Sequence, residues 1–217
     1  MEIAQRIGVV QSGARHLTLR LRAAARATLW GGVALTGCAS LGGDAGWTTL
    51  VDGSRIPGAA EGWSAQGEGN WSLVDGSLQG KAGKSGFLVT PASYTDFELR
   101  AEFWADEDAN SGLFLRCQDR AKVTAGNAYE VNIFDKRPDP TYGTAAIVDF
   151  AKVRQPGPKA ANRWNTFLVT AQGDRLVVVF NGEQTVDLRD GKFRSGPIAL
   201  QSAGGTVRFR KVQVRSL

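Results

Sequence analysis

At 217 residues, with a formal net charge of +5 and a single histidine, the chain has room for one well-buried domain. The charge is concentrated at the start: Arg6, Arg15, Arg20, Arg22 and Arg26 stand against one acid, Glu2, which leaves 21 basic and 20 acidic residues in positions 38–217. That near-neutral balance gives no reason to expect phosphate neutralisation, so no nucleic-acid partner is expected. His16 also lies in the leader, which excludes histidine triads and His-ligated zinc from the rest of the chain.

After the arginine-rich start, the apolar run from Ala27 to Leu35 is too short for a permanent membrane span and suits the h-region of an export signal. Leu35-Thr36-Gly37-Cys38 resembles the lipobox of bacterial lipoproteins, which implies cleavage before Cys38 and lipidation of that residue. The protein would then be exported and held by its anchor on a membrane, in the periplasm or at the outer surface. An ordinary signal cleaved nearby is the alternative. Residues 1–37 read as signal, 38–46 as a short tether and 47–217 as a single domain. Cys117 is left without an internal disulfide partner and reads as a small buried apolar group.

From Trp47 onward the sequence is a succession of short strand-like runs. Trp47 to Val51 ends at Asp52-Gly53, and Trp71–Val74 and Ser77–Gly80 flank the hairpin signal Asp75-Gly76. Gly86 to Thr90 stops at Pro91. Phe97 to Phe103 alternates strictly, apolar residues facing Glu98, Arg100 and Glu102 across the strand. Two further runs, Asn110 to Cys117 and Tyr129 to Ile133, are joined by a polar loop. A weaker strand covers 145–150, and 151–163 reads as loop. A second meander follows through Trp164–Thr170, Arg175–Phe180 and Glu183–Leu188, with turns at Gly173-Asp174 and Asn181-Gly182. Pro197–Gln201 and Val207–Val214 complete the set. About a dozen strands with turn-rich joints and no amphipathic helix predict an all-β antiparallel two-sheet sandwich or barrel. Neither a dinucleotide fingerprint nor a phosphate loop is present.

Alternation places Arg116, Glu130 and Asn132 on one face, opposite Leu113, Leu115, Cys117, Tyr129, Val131 and Ile133. With strands paired in order, Glu98, Arg100 and Glu102 share the polar face. A carboxylate there can act as acid or base and a guanidinium can hold a sugar oxygen; solvated cross-strand ion pairs are the other reading. Trp104 continues the polar set and is the candidate for stacking on a sugar. Asp106, Asp108 and Asn110 alternate oxygens as a calcium loop does, without the remaining ligands of an EF-hand.

The order of short motifs carries a resemblance. Trp47 to Gly53, Trp71 with Asp75-Gly76, Tyr94 to Leu99, Asn110 to Arg116, Tyr129-Glu130-Val131 with Asp135, Trp164-Asn165, Asn181-Gly182 and Gly196 to Gln201 together resemble the 3-keto-disaccharide hydrolase family over residues 47–215. The resemblance implies a concanavalin A-like jelly roll and cleavage of 3-keto-glycosides at the cell envelope, by hydrolysis or by elimination and hydration. It assigns Glu130 as base or metal ligand, Arg116 as the group that polarises a sugar oxygen, and Asp135 a catalytic role in spite of its opposite alternation. Asn110, Asn132, Gln201 and Trp104 would bind substrate. A divalent metal ion is a possible cofactor, with Glu130 or Asp135 as its ligand. Many relatives carry an acid and a histidine where this chain has Ser202-Ala203. A non-catalytic carbohydrate-binding or structural envelope domain is therefore the alternative.

Overall fold

The computed structural model describes residues 44–81 and 83–217; the signal segment and Cys38 lie outside the described residues. The strands are β1 (Thr48–Val51), β2 (Ser64–Gly67), β3 (Asn70–Val74), β4 (Ser77–Lys81), β5 (Gly86–Val89), β6 (Phe97–Ala105), β7 (Ser111–Leu115) and β8 (Tyr129–Ile133). Then come β9 (Arg163–Gln172), β10 (Arg175–Phe180), β11 (Glu183–Arg189), β12 (Ala199–Ser202) and β13 (Thr206–Ser216). The helical elements described are three single 3-10 turns. The fold is an antiparallel two-sheet sandwich of the concanavalin A jelly-roll type.

The back sheet runs β11-β10-β9-β6-β13-β4-β3, with β1 also pairing β13; the front sheet runs β2-β5-β12-β7-β8. Two tight hairpins follow from sequence directly. Asp75-Gly76 and Asn181-Gly182 all take positive φ, the conformation a two-residue hairpin turn needs. Along β6, Phe97, Leu99, Ala101, Phe103 and Ala105 are buried. Phe103 stacks on Phe167 of β9 with ring centroids 5.0 Å apart. From the front sheet, Leu88, Leu113, Leu115, Tyr129, Val131, Ile133 and Leu200 face them. Burying these apolar faces is the main stabilising term, at about 1.5–3 kcal/mol for each large side chain removed from water.

The assignment of β6 to the back sheet corrects one expectation. Glu98, Arg100 and Glu102 lie on the outer face of the sheet opposite Glu130. Alternation says which residues of a strand share a face, but not which of two sheets the strand joins. A second correction concerns the end of β7. Arg116 takes φ 52°, which breaks the alternation at that residue. Cys117 consequently packs with Phe114, Val89 and Ala199 on the outer side of the front sheet, away from Leu113 and Leu115.

Candidate functional site

Along β8, Tyr129, Val131 and Ile133 enter the core, so Glu130 and Asn132 point out of the front sheet. Phe114 lies opposite Glu130, and Gly112 opposite Asn132. The register across β12, β5 and β2 extends these pairs into two rows. One runs Asn132, Gly112, Gln201, Phe87, Gln66; the other runs Glu130, Phe114, Ala199, Val89, Ser64. The loop spanning 118–128 covers the second row, since Val123 and Ala128 cluster with Phe114, Val89 and Ala199. The loop is fixed by the Val123 N–H donating to Gln66 Oε1 at 3.2 Å and by Arg120 donating to the Thr90 and Pro91 carbonyls.

Glu130 is only 6% exposed, and no group among the described residues donates a hydrogen bond to its carboxylate. Burial pushes its carboxyl up to about 7; the cationic Arg137 opposes the shift and Asp149 adds to it. Gly112 makes room for this side chain: a Cβ there would stand 3.2 Å from Glu130 Cγ and 3.3 Å from Oε1. The result is a desolvated carboxyl poised near neutrality, the condition a general base needs.

Four buried side-chain atoms have no hydrogen-bond partner among the described residues: Ser64 Oγ, Gln66 Nε2, Asn132 Oδ1 and Gln201 Oε1. All four side chains belong to this one face. Each such atom costs about 1–3 kcal/mol if nothing satisfies it, so the cluster marks a place where a polar ligand or water completes the fold. Neighbouring bonds fix two of the roles. Gln66 Oε1 already accepts from Val123, leaving Nε2 to donate. Asn132 Nδ2 donates to the Tyr142 carbonyl at 2.7 Å, leaving Oδ1 to accept. Donors and acceptors along one row suit ligand hydroxyls, which do both.

The sequence-predicted residues divide accordingly. Glu130, Asn132 and Gln201 are brought onto one face. Asn110 joins its rim, its backbone bridging to Gly204 just before β7 begins. Arg116 is not at the site. It is fully buried and donates to the carbonyls of Thr95 (3.0 Å), Gly173 (2.9 Å) and Phe193 (3.1 Å). With Asp96 at 3.4 Å, Arg116 ties three loops together. Asp135 is likewise committed: its carboxylate accepts from the Thr144 hydroxyl at 2.6 Å and from the Ala160 and Ala161 N–H groups at 3.0 Å. That organises the loop before β9 and leaves no oxygen free to act as a base. Trp104 lies on the outer face of the back sheet, beside Trp164, with the Arg208 guanidinium 5.3 Å from its ring centroid. A sugar cannot reach Glu130 and stack there at once. The back face also carries a depression of about 470 Å³, lined by Trp47, Arg100, Glu102 and Lys211 among others. Its charged groups are paired, as Arg210 with Glu102 and Arg215 with Glu98 are, whereas the orphaned groups are at the front.

The donor set does not make a divalent-cation site. Among the described residues no three His, Cys, Asp or Glu side chains come together, and the Asp135 oxygens are occupied by N–H and O–H donors. Ser202 points into the interior, where a Cβ on Gly80 would stand 2.6 Å from its own Cβ. Sequence reasoning missed Arg137, set in a proline-flanked loop, and Ser64 and Gln66, on a strand with too few apolar residues to signal itself.

A model of the 3-keto-alpha-glucoside-1,2-lyase-like domain matches residues 46–215. The chain belongs to this family. Among solved structures, the lyase-like domain is similar to a glycosyl hydrolase candidate from Parabacteroides distasonis, at 18% identity and TM-score 0.68, over 80% of this chain and 94% of that one. It is also similar to the carbohydrate-binding module CBM66 from Bacillus subtilis (21% identity, TM-score 0.54, 79% and 96% covered). A third relative is a galectin-like protein of the same organism (15% identity, TM-score 0.61, 78% and 96% covered). At these identities the similarity speaks for the fold. No curated protein matches. Family and fold together give the lyase-like domain a carbohydrate-related function.

Proposed function

We propose that the protein cleaves the glycosidic bond of 3-keto-glycosides by elimination across C1 and C2, with Glu130 as the base. The observation that carries this reading is the buried, unpartnered carboxyl of Glu130 on a face of orphaned polar groups. A ketone at C3 acidifies the C2 hydrogen. Glu130 in its carboxylate form takes that proton, an enolate forms on C2, C3 and the C3 oxygen, and the C1–O bond breaks to expel the second sugar as an alkoxide. The alkoxide takes up a proton from the Glu130 carboxyl or from water. Water adding across the C1=C2 double bond returns the free 3-keto sugar. We assign Arg137, whose charge opposes the upward shift of the Glu130 carboxyl, the role of drawing negative charge toward the enolate oxygen.

A non-catalytic reading has its own support in the fold shared with a carbohydrate-binding module. The two are separated by incubating the exported domain with a 3-keto-disaccharide beside its Glu130→Ala variant and following release of both sugars. The enzyme reading expects turnover by the parent and loss of at least a hundredfold in the variant. Binding without turnover by the parent supports the module. Export and lipidation at Cys38 belong to the same proposal: palmitate labelling lost on Cys38→Ala is the expected outcome.

A further inference from the structure

The chain enters the fold across the outer face of the back sheet. Asp44 pairs there with Arg100 of β6 and, at 3.1 Å, with Lys211 of β13. The guanidiniums of Arg100 and Arg215 stand 4.3 and 4.9 Å from the centroid of the Trp47 ring. Two more tryptophan–arginine pairs share the face: Arg210 lies 4.4 Å from the ring centroid of Trp164, and Arg208 covers Trp104. The middle of β9 and β10 sends out no charge on this side, only Thr166, Leu168, Thr170, Val177 and Val179. Trp164 and Leu168 are 39% and 37% exposed, whereas among the described residues no large apolar side chain is exposed on a front-sheet strand. An apolar patch rimmed by polar groups marks a surface that meets something other than water.

Taking lipidation at Cys38 as given, we propose that the outer face of the back sheet rests on the phospholipid headgroups of the membrane that holds the anchor. Glu130, on the opposite sheet, then faces the solution. Chain length supports this orientation. Asp44 follows Cys38 by six residues, a reach of about 20 Å when fully extended. Asp44 meets β13, two strands in from β3 at the sheet margin, or about 10 Å. To turn the front sheet to the membrane, the segment would have to cover that distance and then pass two sheets packed about 10 Å apart, with outward side chains on each, roughly 20 Å more. While its ion pairs hold Asp44, the segment is too short. Surface chemistry points the same way. Indole rings pair an apolar body with one N–H donor and collect at the headgroup level of membranes. The ion pairs on this face join five cations, Arg100, Arg208, Arg210, Lys211 and Arg215, to four carboxylates, which leaves an excess positive charge to meet lipid phosphates.

The test uses the full chain, expressed with its signal and reconstituted into vesicles of phosphatidylcholine and phosphatidylglycerol that carry a nitroxide on the lipid headgroup. A thiol-reactive fluorophore is placed at Thr166→Cys on the back face or at Lys122→Cys in the loop over the front sheet; both positions are exposed and the native Cys117 is buried. The label at 166 is expected to be quenched at least threefold more strongly than the label at 122. Equal quenching, or stronger quenching at 122, on a chain that incorporates palmitate would overturn the contact while leaving the anchor in place. Adding Trp164→Ser and Leu168→Ser to the 166-labelled chain is expected to lower its quenching at least twofold. Unchanged quenching would mean that the tether alone holds the domain near the membrane, and would overturn the contact assigned to these side chains. A chain that takes up no palmitate and does not float with the vesicles would remove the anchor and this contact together.

Discussion

Arg116 lies within the stretch matched by the family model, and its buried clamp makes a sharp prediction. Replacing it with Met keeps much of the aliphatic volume and removes every donor. The carbonyls of Thr95, Gly173 and Phe193 then lose their bonds in a place that water reaches poorly. Hydrogen bonds to a charged group are worth about 1.5–3 kcal/mol each, but the variant is also relieved of a costly buried charge, so a net loss of about 3–5 kcal/mol is expected. The Asp96 partner contributes little of this, because its side chain is 39% exposed. For a domain of this size, about 2–4 °C of Tm follows each kcal/mol, giving a fall of roughly 10–15 °C. Thermal melts by circular dichroism read the shift, and turnover below the variant's Tm should stay within about threefold of the parent. A variant that melts with the parent but has lost activity a hundredfold would place Arg116 at the chemistry and refute its structural role.

Three other outcomes follow from the site. Burial holds the Glu130 carboxyl at about 7 against an ordinary 4.5, so the folded state holds that proton more tightly than the unfolded one. The resulting penalty is absent below the ordinary value and complete above the raised one, at about 3 kcal/mol. Glu130→Gln should accordingly raise Tm at pH 8 and have little effect at pH 4.5; an equal effect at both would contradict the assigned burial. Gly112→Ala pushes a methyl group against the carboxyl and should cut turnover at least tenfold at a stability cost near 1 kcal/mol; unchanged turnover would mean that Glu130 does not work from that position. Added chelator should leave turnover within twofold, since no three His, Cys, Asp or Glu side chains come together among the described residues; loss restored by a divalent ion would show that a cation is held by other groups.

Much of the fold was legible because its determinants are local. Asp75-Gly76 and Asn181-Gly182 fix two hairpins by backbone preference alone, and β6 declares its buried face by strict alternation. The site was legible only where alternation holds without interruption, as it does from Glu130 to Asn132. It failed at Arg116, where one left-handed residue turns the chain, a conformation that neither composition nor spacing signals for an arginine. Gly196 hints at the close approach there: a Cβ on it would fall 2.3 Å from the Cys117 carbonyl oxygen. Trp104 and the charged set of β6 were assigned to the wrong sheet because strand order is a long-range property. Gln66 could not be found from β2, whose alternation of small and polar residues carries almost no apolar signal.

The most direct measurement follows the C2 hydrogen. With the parent protein in heavy water and a 3-keto-disaccharide as substrate, elimination and hydration predict one deuterium at C2 of the released 3-keto sugar, above an enzyme-free control, and neither turnover nor label with Glu130→Gln. Release of both sugars without deuterium at C2, or full labelling by the Glu130→Gln variant, would contradict the role given to Glu130.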